Sequence, residues 1–293
     1  MVRDKSLGSG LFDFTNYTLL LLLALTTSIP FVYTIAGSFS TTQELLEKGF
    51  ILFPTKFSLE AYRYIFSTAT LIRSLGVTIF ITVMGTLFNL VFTVLMAYPL
   101  AKKGLKGRNP IMLLIIFSML FSGGMIPSFL VVKALGLLNS YWAVIIPSAI
   151  NSFNLIVIKN FFQQLPDGLE ESAQIDGCNE LQTLIRIVLP LSTPALATFS
   201  LFYAVGHWNT FMSAILYIND TTKWPIQVLL RQIVIMSQGG IGDSQGFSAE
   251  YVAPPAETIK MAVIVVSTLP ILMVYPFLQK HFAKGVLLGS VKG

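Results

Sequence analysis

The residues best suited to chemistry lie in one polar segment, Leu165–Pro194, which reads LPDGLEESAQIDGCNELQTLIRIVLPLSTP. Its first half carries carboxylates at Glu170, Glu171 and Asp176, and carboxylates on a short helix can form directional ion pairs with arginines of a partner. The single cysteine excludes an internal disulfide and a Cys-based metal cluster, and the two histidines are too few for a His-rich metal site. No catalytic residue and no metal site is therefore expected in this segment.

Local signals in this segment predict two short helices joined by a tight turn. Asp167 is predicted to cap the first helix, with Glu170 at its third position. Gly177 stands where a helix ends in a left-handed conformation. Asn179 is predicted to cap the second helix, with Gln182 completing a capping box. A surface hairpin that merely connects two other elements is the alternative interpretation.

The second helix is predicted to be amphipathic and to end or kink at Pro190, because proline cannot donate a backbone hydrogen bond. Its apolar residues follow the i, i+3, i+4, i+7, i+8 pattern of a helix face: Leu181, Leu184, Ile185, Val188 and Leu189.

The elements that must position this segment are membrane spans. The chain has 293 residues, of which 54% are hydrophobic and 11% charged, with a mean hydropathy of +0.73. A soluble domain is about 25% charged, so the composition excludes a soluble globular protein and a disordered one. A spanning helix needs roughly 20 apolar residues, and six such stretches are predicted at about 17–39, 75–100, 110–132, 136–158, 191–218 and 259–279.

Lysines and arginines in the loops predict the orientation. The short loop after the second span carries Lys102, Lys103, Lys106 and Arg108, which marks it as cytoplasmic. Six spans then place both termini in the cytoplasm. The first span is predicted to be an uncleaved anchor rather than a signal peptide, because its apolar run is too long and five further spans follow. The net charge of +5 is explained by such loops and does not indicate nucleic acid.

The polar segment resembles the EAA motif of ABC importer permeases. Glu171-Ser172-Ala173, three residues, Gly177, nine residues, Ile187 and then Leu189-Pro190 reproduce the spacing of that motif, with serine in place of its first alanine. Trp208-Asn209-Thr210-Phe211 and Gly136–Tyr141 are similar to signatures of the maltose-importer-like carbohydrate branch. Within it, the chain is most similar to permeases that import polysaccharide-derived oligosaccharides such as alginate.

The resemblance implies an all-α integral membrane fold, that of a type I ABC importer permease: one domain over residues 1–293, with six transmembrane helices and a cytoplasmic coupling helix. The chain would be a permease subunit and not an enzyme, since it has no G-x-x-x-x-G-K-[ST] phosphate loop. It would bind no cofactor itself, and a partner ATPase dimer would bind ATP and Mg²⁺. A second homologous permease, a soluble substrate-binding protein and membrane lipid would complete the assembly in the bacterial inner membrane, and nucleic acid is not expected. Within the coupling segment 165–190, the ATPase-coupling residues would be Glu170, Glu171, Ser172, Ala173, Asp176 and Gly177.

Substrate is expected to touch polar and aromatic residues in the spans, since sugars stack on rings and bond to amides. The candidates are Asn151, Asn154, Tyr203, His207, Trp208 and Asn209. The structural alternative stays open for each, because Trp and Tyr favour the membrane interface and Asn can join helices. In the outer loop 220–258, the residues expected by resemblance to contact the binding protein are Gly239, Gly240, Gly242, Asp243 and Gly246, with a plain loop tip as the alternative.

The expected function is therefore ATP-driven import of an oligosaccharide by alternating access. An ion- or proton-coupled secondary sugar transporter is the alternative, although such proteins usually carry ionisable groups in mid-membrane and the six predicted spans contain no Asp or Glu. The same absence excludes an intramembrane aspartyl protease, which Gly240-Ile241-Gly242-Asp243 would otherwise suggest. The sequence does not specify the sugar.

Overall fold

The computed structural model describes residues 7–237 and 257–290. Their regular structure is helical, with one isolated antiparallel bridge between Ser40 and Phe57. The α-helices are α1 (Leu7–Ser38), α2 (Thr42–Lys48), α3 (Glu60–Ser67), α4 (Ala69–Ala101), α5 (Arg108–Leu120), α6 (Met125–Ala134), α7 (Trp142–Ile145), α8 (Ser152–Phe162), α9 (Asp167–Ile175), α10 (Glu180–Thr183), α11 (Leu189–Leu191), α12 (Thr193–Trp208), α13 (Met212–Tyr217), α14 (Ile226–Ser237) and α15 (Glu257–Ser290). Short 3₁₀ turns at Ile146–Ser148 and Thr221–Lys223 and a π-helical turn at Leu184–Val188 complete the order.

Three described helices are long and apolar enough to cross a membrane, and the number reaches six if each of three bent helix pairs is one span. The continuous helices are Gly8–Ser38, Ala69–Ala101 and Glu257–Val274. The bent pairs are Arg108–Leu120 with Met125–Ala134, Trp142–Ser148 with Ser152–Phe162, and Glu180–Leu191 with Thr193–Trp208, at 118°, 52° and 84°.

The third predicted span, 110–132, is not one straight helix. It divides into α5 and α6, which are bent by 118°. Gly123 and Gly124 are poor helix formers, and Pro127 has no backbone N–H to continue the helical hydrogen bonds across them. The predicted span 110–132 therefore contains a break between its two helices.

The fourth and fifth predicted spans are also broken. Residues 136–141 precede α7, and Asn151, whose side chain accepts a hydrogen bond from the Asn154 N–H, begins α8 after a 52° bend. In the fifth, α12 ends at Trp208 before α13 begins. The 84° bend before α12 lies between Pro190 and Pro194, so the kink expected at Pro190 is present, although the helix runs on to Leu191.

The described contacts divide the chain into two compact units. The first comprises Met1–Ala69 and Leu230–Thr268. In this unit, the segment that follows α1 is held together by Glu44, whose side chain is buried. The carboxylate accepts hydrogen bonds from the Thr55 N–H at 2.8 Å, from the Lys56 N–H at 3.0 Å and from the Thr55 hydroxyl, and it pairs with Lys48 at 2.9 Å. Hydrogen bonds from Thr55 first, and then from Lys48 and Lys56, lower the pKa of Glu44 to about 2.

Acidification is therefore expected to loosen residues 40–59. Because the pKa of Glu44 is lower in the folded state than in the unfolded state, its carboxylate stabilises the fold above pH 4.5, the ordinary pKa. This stability is lost as the pH falls through about 2, because the carboxylate must then be protonated. Glu44→Gln should cause the same loosening at neutral pH, measured as faster backbone hydrogen exchange in this loop. Glu47→Gln, at an exposed glutamate of the same helix, is the control. Equal exchange in both variants would contradict the role of Glu44.

The second unit comprises Thr70–Leu229 and Leu269–Gly293. Its main core joins α4, α8, the π-helical turn and α12, and it contains Val94, Ala97, Leu100, Leu155, Ile158, Phe162, Leu184, Val188 and Phe199. Lipid tails are as apolar as these side chains, so close packing rather than the hydrophobic effect holds such a core together in a membrane. The core positions the residues of the candidate site.

Candidate functional site

The first helix of the polar segment begins one position earlier than the sequence predicts. Pro166, in extended conformation at φ −60° and ψ 128°, occupies the cap position, and Asp167 is the first helical residue of α9. Pro166 makes no side-chain hydrogen bond to this end of the helix. The predicted capping box of Asp167 and Glu170 was therefore wrong, and Glu170 has other partners.

The turn after α9 has the predicted geometry. Gly177 has a φ of +81°, a left-handed conformation that disfavours side chains with a Cβ. The Cys178 N–H donates to the Ala173 carbonyl at 2.9 Å and the Gly177 N–H to the Gln174 carbonyl at 3.0 Å, which closes the helix end.

The second helix has the predicted cap. Asn179 Oδ1 accepts from the Gln182 N–H, and Gln182 Oε1 accepts from the Asn179 N–H, both at 2.9 Å. This capping box is confirmed. It fixes where α10 begins, three residues after Gly177, and so sets the direction in which the chain leaves the turn.

Each helix of the segment buries only part of its apolar face. Ala173 is buried from α9, and Leu184 and Val188 are buried in the core of the second unit. Leu181 and Ile185 are more than half exposed, so the predicted apolar face is only partly covered by the rest of the chain. The π-helical turn over Leu184–Val188 shifts the helical register, which changes the side chains that face inward.

Four of the predicted coupling residues form an exposed face. Glu171, Ser172, Asp176 and Gly177 are exposed, and the Ser172 hydroxyl donates to the Gly168 carbonyl at 2.7 Å. Serine thus uses its polar group within its own helix, which is why it can replace the alanine of the motif. This face is open for a partner.

Glu170 instead faces the chain. Its Oε2 lies 2.9 Å from Lys102 Nζ. Lys102 also pairs with Glu180, and the Tyr98 hydroxyl lies 3.0 Å from Glu180 Oε2 and 3.4 Å from Glu170 Oε2. Burial alone would lower the pKa of Lys102, but its hydrogen bonds with Glu180, Glu170 and Tyr98 raise it above the ordinary value. The ammonium therefore keeps its charge across the physiological pH range.

A cavity of about 620 Å³ lies within the second unit. Its lining combines amides, hydroxyls and aromatic rings: Asn89, Val144, Pro147, Ser148, Asn151, Phe153, Asn154, Phe202, Tyr203, Gly206, His207, Thr210, Ser213 and Tyr217. Convergent polar groups among aromatic side chains can bind a polar organic ligand with hydroxyl groups. None of these lining residues is Asp, Glu, Lys or Arg.

Four of the six predicted substrate residues line this cavity. Asn151 and Asn154 lie at the start of α8, and Tyr203 and His207 lie on α12. The Tyr203 hydroxyl is 2.7 Å from Thr93 Oγ1 and accepts from the Asn151 N–H at 3.4 Å. Tyr203 and Asn151 therefore also join helices, which is the structural alternative, while Asn154 and His207 remain the better ligand candidates.

Trp208 and Asn209 are not among the described lining residues. Trp208 is buried, and the Asn209 side chain donates to the Val205 carbonyl at 2.9 Å at the end of α12. The glycines and aspartate expected to contact a binding protein, Gly239, Gly240, Gly242, Asp243 and Gly246, lie outside the described residues.

Sequence reasoning missed Asn89. It is buried on α4, lines the cavity, and its Oδ1 accepts no hydrogen bond from any described residue. A buried amide oxygen without a hydrogen-bond partner destabilises the fold. Asn89 is therefore a candidate to accept a hydrogen bond from a ligand. The sequence signal that could have found it is a polar asparagine within the apolar run 75–100.

The fold and the two sites define the membrane-embedded part of a transporter whose energy comes from another chain. Residues 90–288 match the family described as binding-protein-dependent transport system inner membrane component. The chain belongs to this family, so it is an inner-membrane ABC importer permease, and the resemblance stated from the EAA motif is confirmed.

Similar proteins are carbohydrate permeases. The polygalacturonan/rhamnogalacturonan transport system permease protein YtcP of Bacillus subtilis is 62% identical over 97% of this chain and 99% of its own length. The arabinooligosaccharides transport system permease protein AraQ of Halalkalibacterium halodurans is 29% identical over 90% of this chain and 91% of its own. A chain of the crystal structure of a bacterial ABC transporter involved in the import of the acidic polysaccharide alginate superposes with a TM-score of 0.86 at 33% identity, over 95% of this chain and 99% of that one.

Proposed function

We propose that this permease moves a uronate-containing oligosaccharide from a binding protein into the cytoplasm by alternating access, driven by a separate ATPase. The observation that carries the proposal is the exposed face of α9. Glu171, Ser172, Asp176 and Gly177 leave a docking surface uncovered, while buried Ala173 anchors the same helix to the chain. A helix held on one side and open on the other can receive a partner's movement and pass it on as a rigid body.

The cavity suits a sugar, and the relatives support the uronate class. Amides, hydroxyls and rings line the cavity, which suits sugar hydroxyls and ring faces. The relatives that share 62% and 33% identity transport polygalacturonan or rhamnogalacturonan and alginate, by the names they carry, and polygalacturonan is a polyuronate. A uronate-containing oligosaccharide is the substrate class common to both names.

The proposal extends to the partners of the chain and to its orientation in the membrane. Two permease chains would enclose the pathway, and an ATPase dimer would bind ATP and Mg²⁺ and dock on α9. The basic loop Lys102–Arg108 supports a cytoplasmic position for that loop and for both termini. The outer loop around Gly239–Gly246 would contact the binding protein.

Purification of the chain from its native membrane, followed by uptake assays in proteoliposomes, tests the proposal. We expect an ATPase with a phosphate loop and a second permease to co-purify. Uptake of a labelled oligogalacturonide should then require internal ATP and survive a protonophore. A neutral malto-oligosaccharide of equal length should compete poorly. A chain that purifies alone and transports only with an ion gradient would instead indicate a secondary transporter, and equal uptake of the neutral sugar would contradict the uronate assignment.

Asn89→Leu should reduce uptake without weakening the fold. The change removes a buried oxygen that no described residue satisfies, so thermal stability should stay equal or rise. Loss of one hydrogen bond to the sugar, worth about 1 kcal/mol, should lower apparent affinity roughly fivefold. Uptake at graded sugar concentrations and melting of the purified complex measure the two effects. A destabilised variant with unchanged affinity would show that Asn89 has a structural role.

A further inference from the structure

Lys102 contacts both sides of the turn at Gly177. It is the first residue after α4. Its ammonium pairs with Glu170 of α9 before the turn and with Glu180 of α10 after it. The ammonium also lies 4.7 Å from the centre of the Tyr98 ring. One charged group therefore joins three helices.

The two adjacent glutamates of the coupling segment, Glu170 and Glu171, face in different directions. Glu171 is exposed on α9, whereas Glu170 and Lys102 are each about three-quarters covered at the side chain. Glu171 is thus available to a partner, and Glu170 is engaged within the chain. This division follows from the structure, since both residues have the same chemistry.

We propose that Lys102 is a positioning residue that ties the coupling helix α9 to α4 and α10, so that movement of α9 by the ATPase reaches the second and fifth predicted spans. The inference rests on the proposed function. Gly177 itself makes no comparable contact with α4 among the described residues, because it is exposed and a Cβ there would meet nothing within 4 Å.

Removing the ammonium changes the local forces in two ways. The ionic link from the end of α4 to the other two helices is lost, and the neutral Tyr98 hydroxyl of α4 still lies 3.0 Å from Glu180 Oε2 and 3.4 Å from Glu170 Oε2. In addition, the Glu170 and Glu180 carboxylates, which share one counter-ion, are left facing each other and repel. A useful experiment must separate loss of the tie from this repulsion.

The experiment uses the complete importer in proteoliposomes. Lys102→Met keeps the chain length of the side chain and removes its charge, Lys102→Arg keeps the charge, and Lys106→Met removes a charge from an exposed position of the same loop. We expect Lys102→Met to retain bound ATPase and basal hydrolysis but to lower sugar uptake per ATP about fivefold or more, as for a moderate coupling free energy. Lys102→Arg and Lys106→Met should keep the wild-type ratio.

The triple variant Lys102→Met, Glu170→Gln, Glu180→Gln removes the tie and the repulsion together. We expect it to stay uncoupled. Recovery of the wild-type ratio in the triple variant, or an unchanged ratio in Lys102→Met, would overturn the inference. Wild-type protein that binds no ATPase or imports no sugar with ATP would instead contradict the proposed function, so the two failures are distinguishable.

Discussion

Replacing Gly177 with valine is expected to weaken docking of the ATPase while the chain still inserts in the membrane. The residue adopts a φ of +81°, and a left-handed conformation costs a residue with a Cβ roughly 1–2 kcal/mol, with β-branched residues the least tolerant. Valine would relieve this strain by rotating α9 away from α10, and the exposed face would then be presented in the wrong direction. Docking affinity should fall about tenfold or more, measured by ATPase retained on the immobilised permease.

Gly177→Asn is the matched control. Asparagine tolerates the left-handed conformation better than other non-glycine residues, and a Cβ at this position meets nothing within 4 Å in the chain. If backbone conformation alone matters, the asparagine variant should retain most of its ATPase. Equal loss in both variants would show that the partner's backbone approaches Gly177 closely, and equal retention would remove the turn from the coupling mechanism.

Short-range signals in the coupling segment were sufficient to predict much of its structure. The end of α9 at Gly177 and the capping box of Asn179 and Gln182 depend on residues within a few positions of each other. The start of α9 was placed one residue late because aspartate is a preferred cap residue and proline is not. Only the backbone angles show that Pro166 occupies the cap position.

Side-chain partners distant in sequence could not be predicted. Glu170 and Glu171 are identical in type, yet Lys102 on another element pairs with Glu170 and leaves Glu171 exposed. The burial of Leu184 but not Leu181 likewise depends on tertiary packing. The apolar pattern also gives no signal for the π-helical turn over Leu184–Val188.

In the membrane region, hydropathy predicted where apolar stretches lie but not where they break. A window of roughly 20 residues averages over the glycines that separate α5 from α6. The cavity shows the same limit. Asn154 was a candidate because amides form hydrogen bonds with sugars, and the same argument applies to Asn89. The helix packing that gathers Asn154, His207 and Asn89 around one cavity is a tertiary property.

Gly85→Ala is expected to have the largest effect on the second unit. Gly85 is buried on α4, and a Cβ there would lie 2.5 Å from Nε2 and 2.6 Å from Cε1 of His207 on α12. A buried imidazole ring cannot move aside like the end of a flexible chain, so the two helices must separate. Overpacking of this kind costs about 1–3 kcal/mol, and the melting temperature of the purified permease should fall by several degrees.

Uptake should fall as well, because His207 lines the cavity and would be displaced with α12. Gly76→Ala, on the same helix with nothing within 4 Å of its added Cβ, should leave both melting and uptake unchanged. Adding His207→Ala to Gly85→Ala removes the ring and should restore most of the melting temperature. Uptake should stay low in the double variant if the imidazole contacts the sugar. Recovery of stability together with full uptake would instead show that His207 serves only to pack α12 against α4.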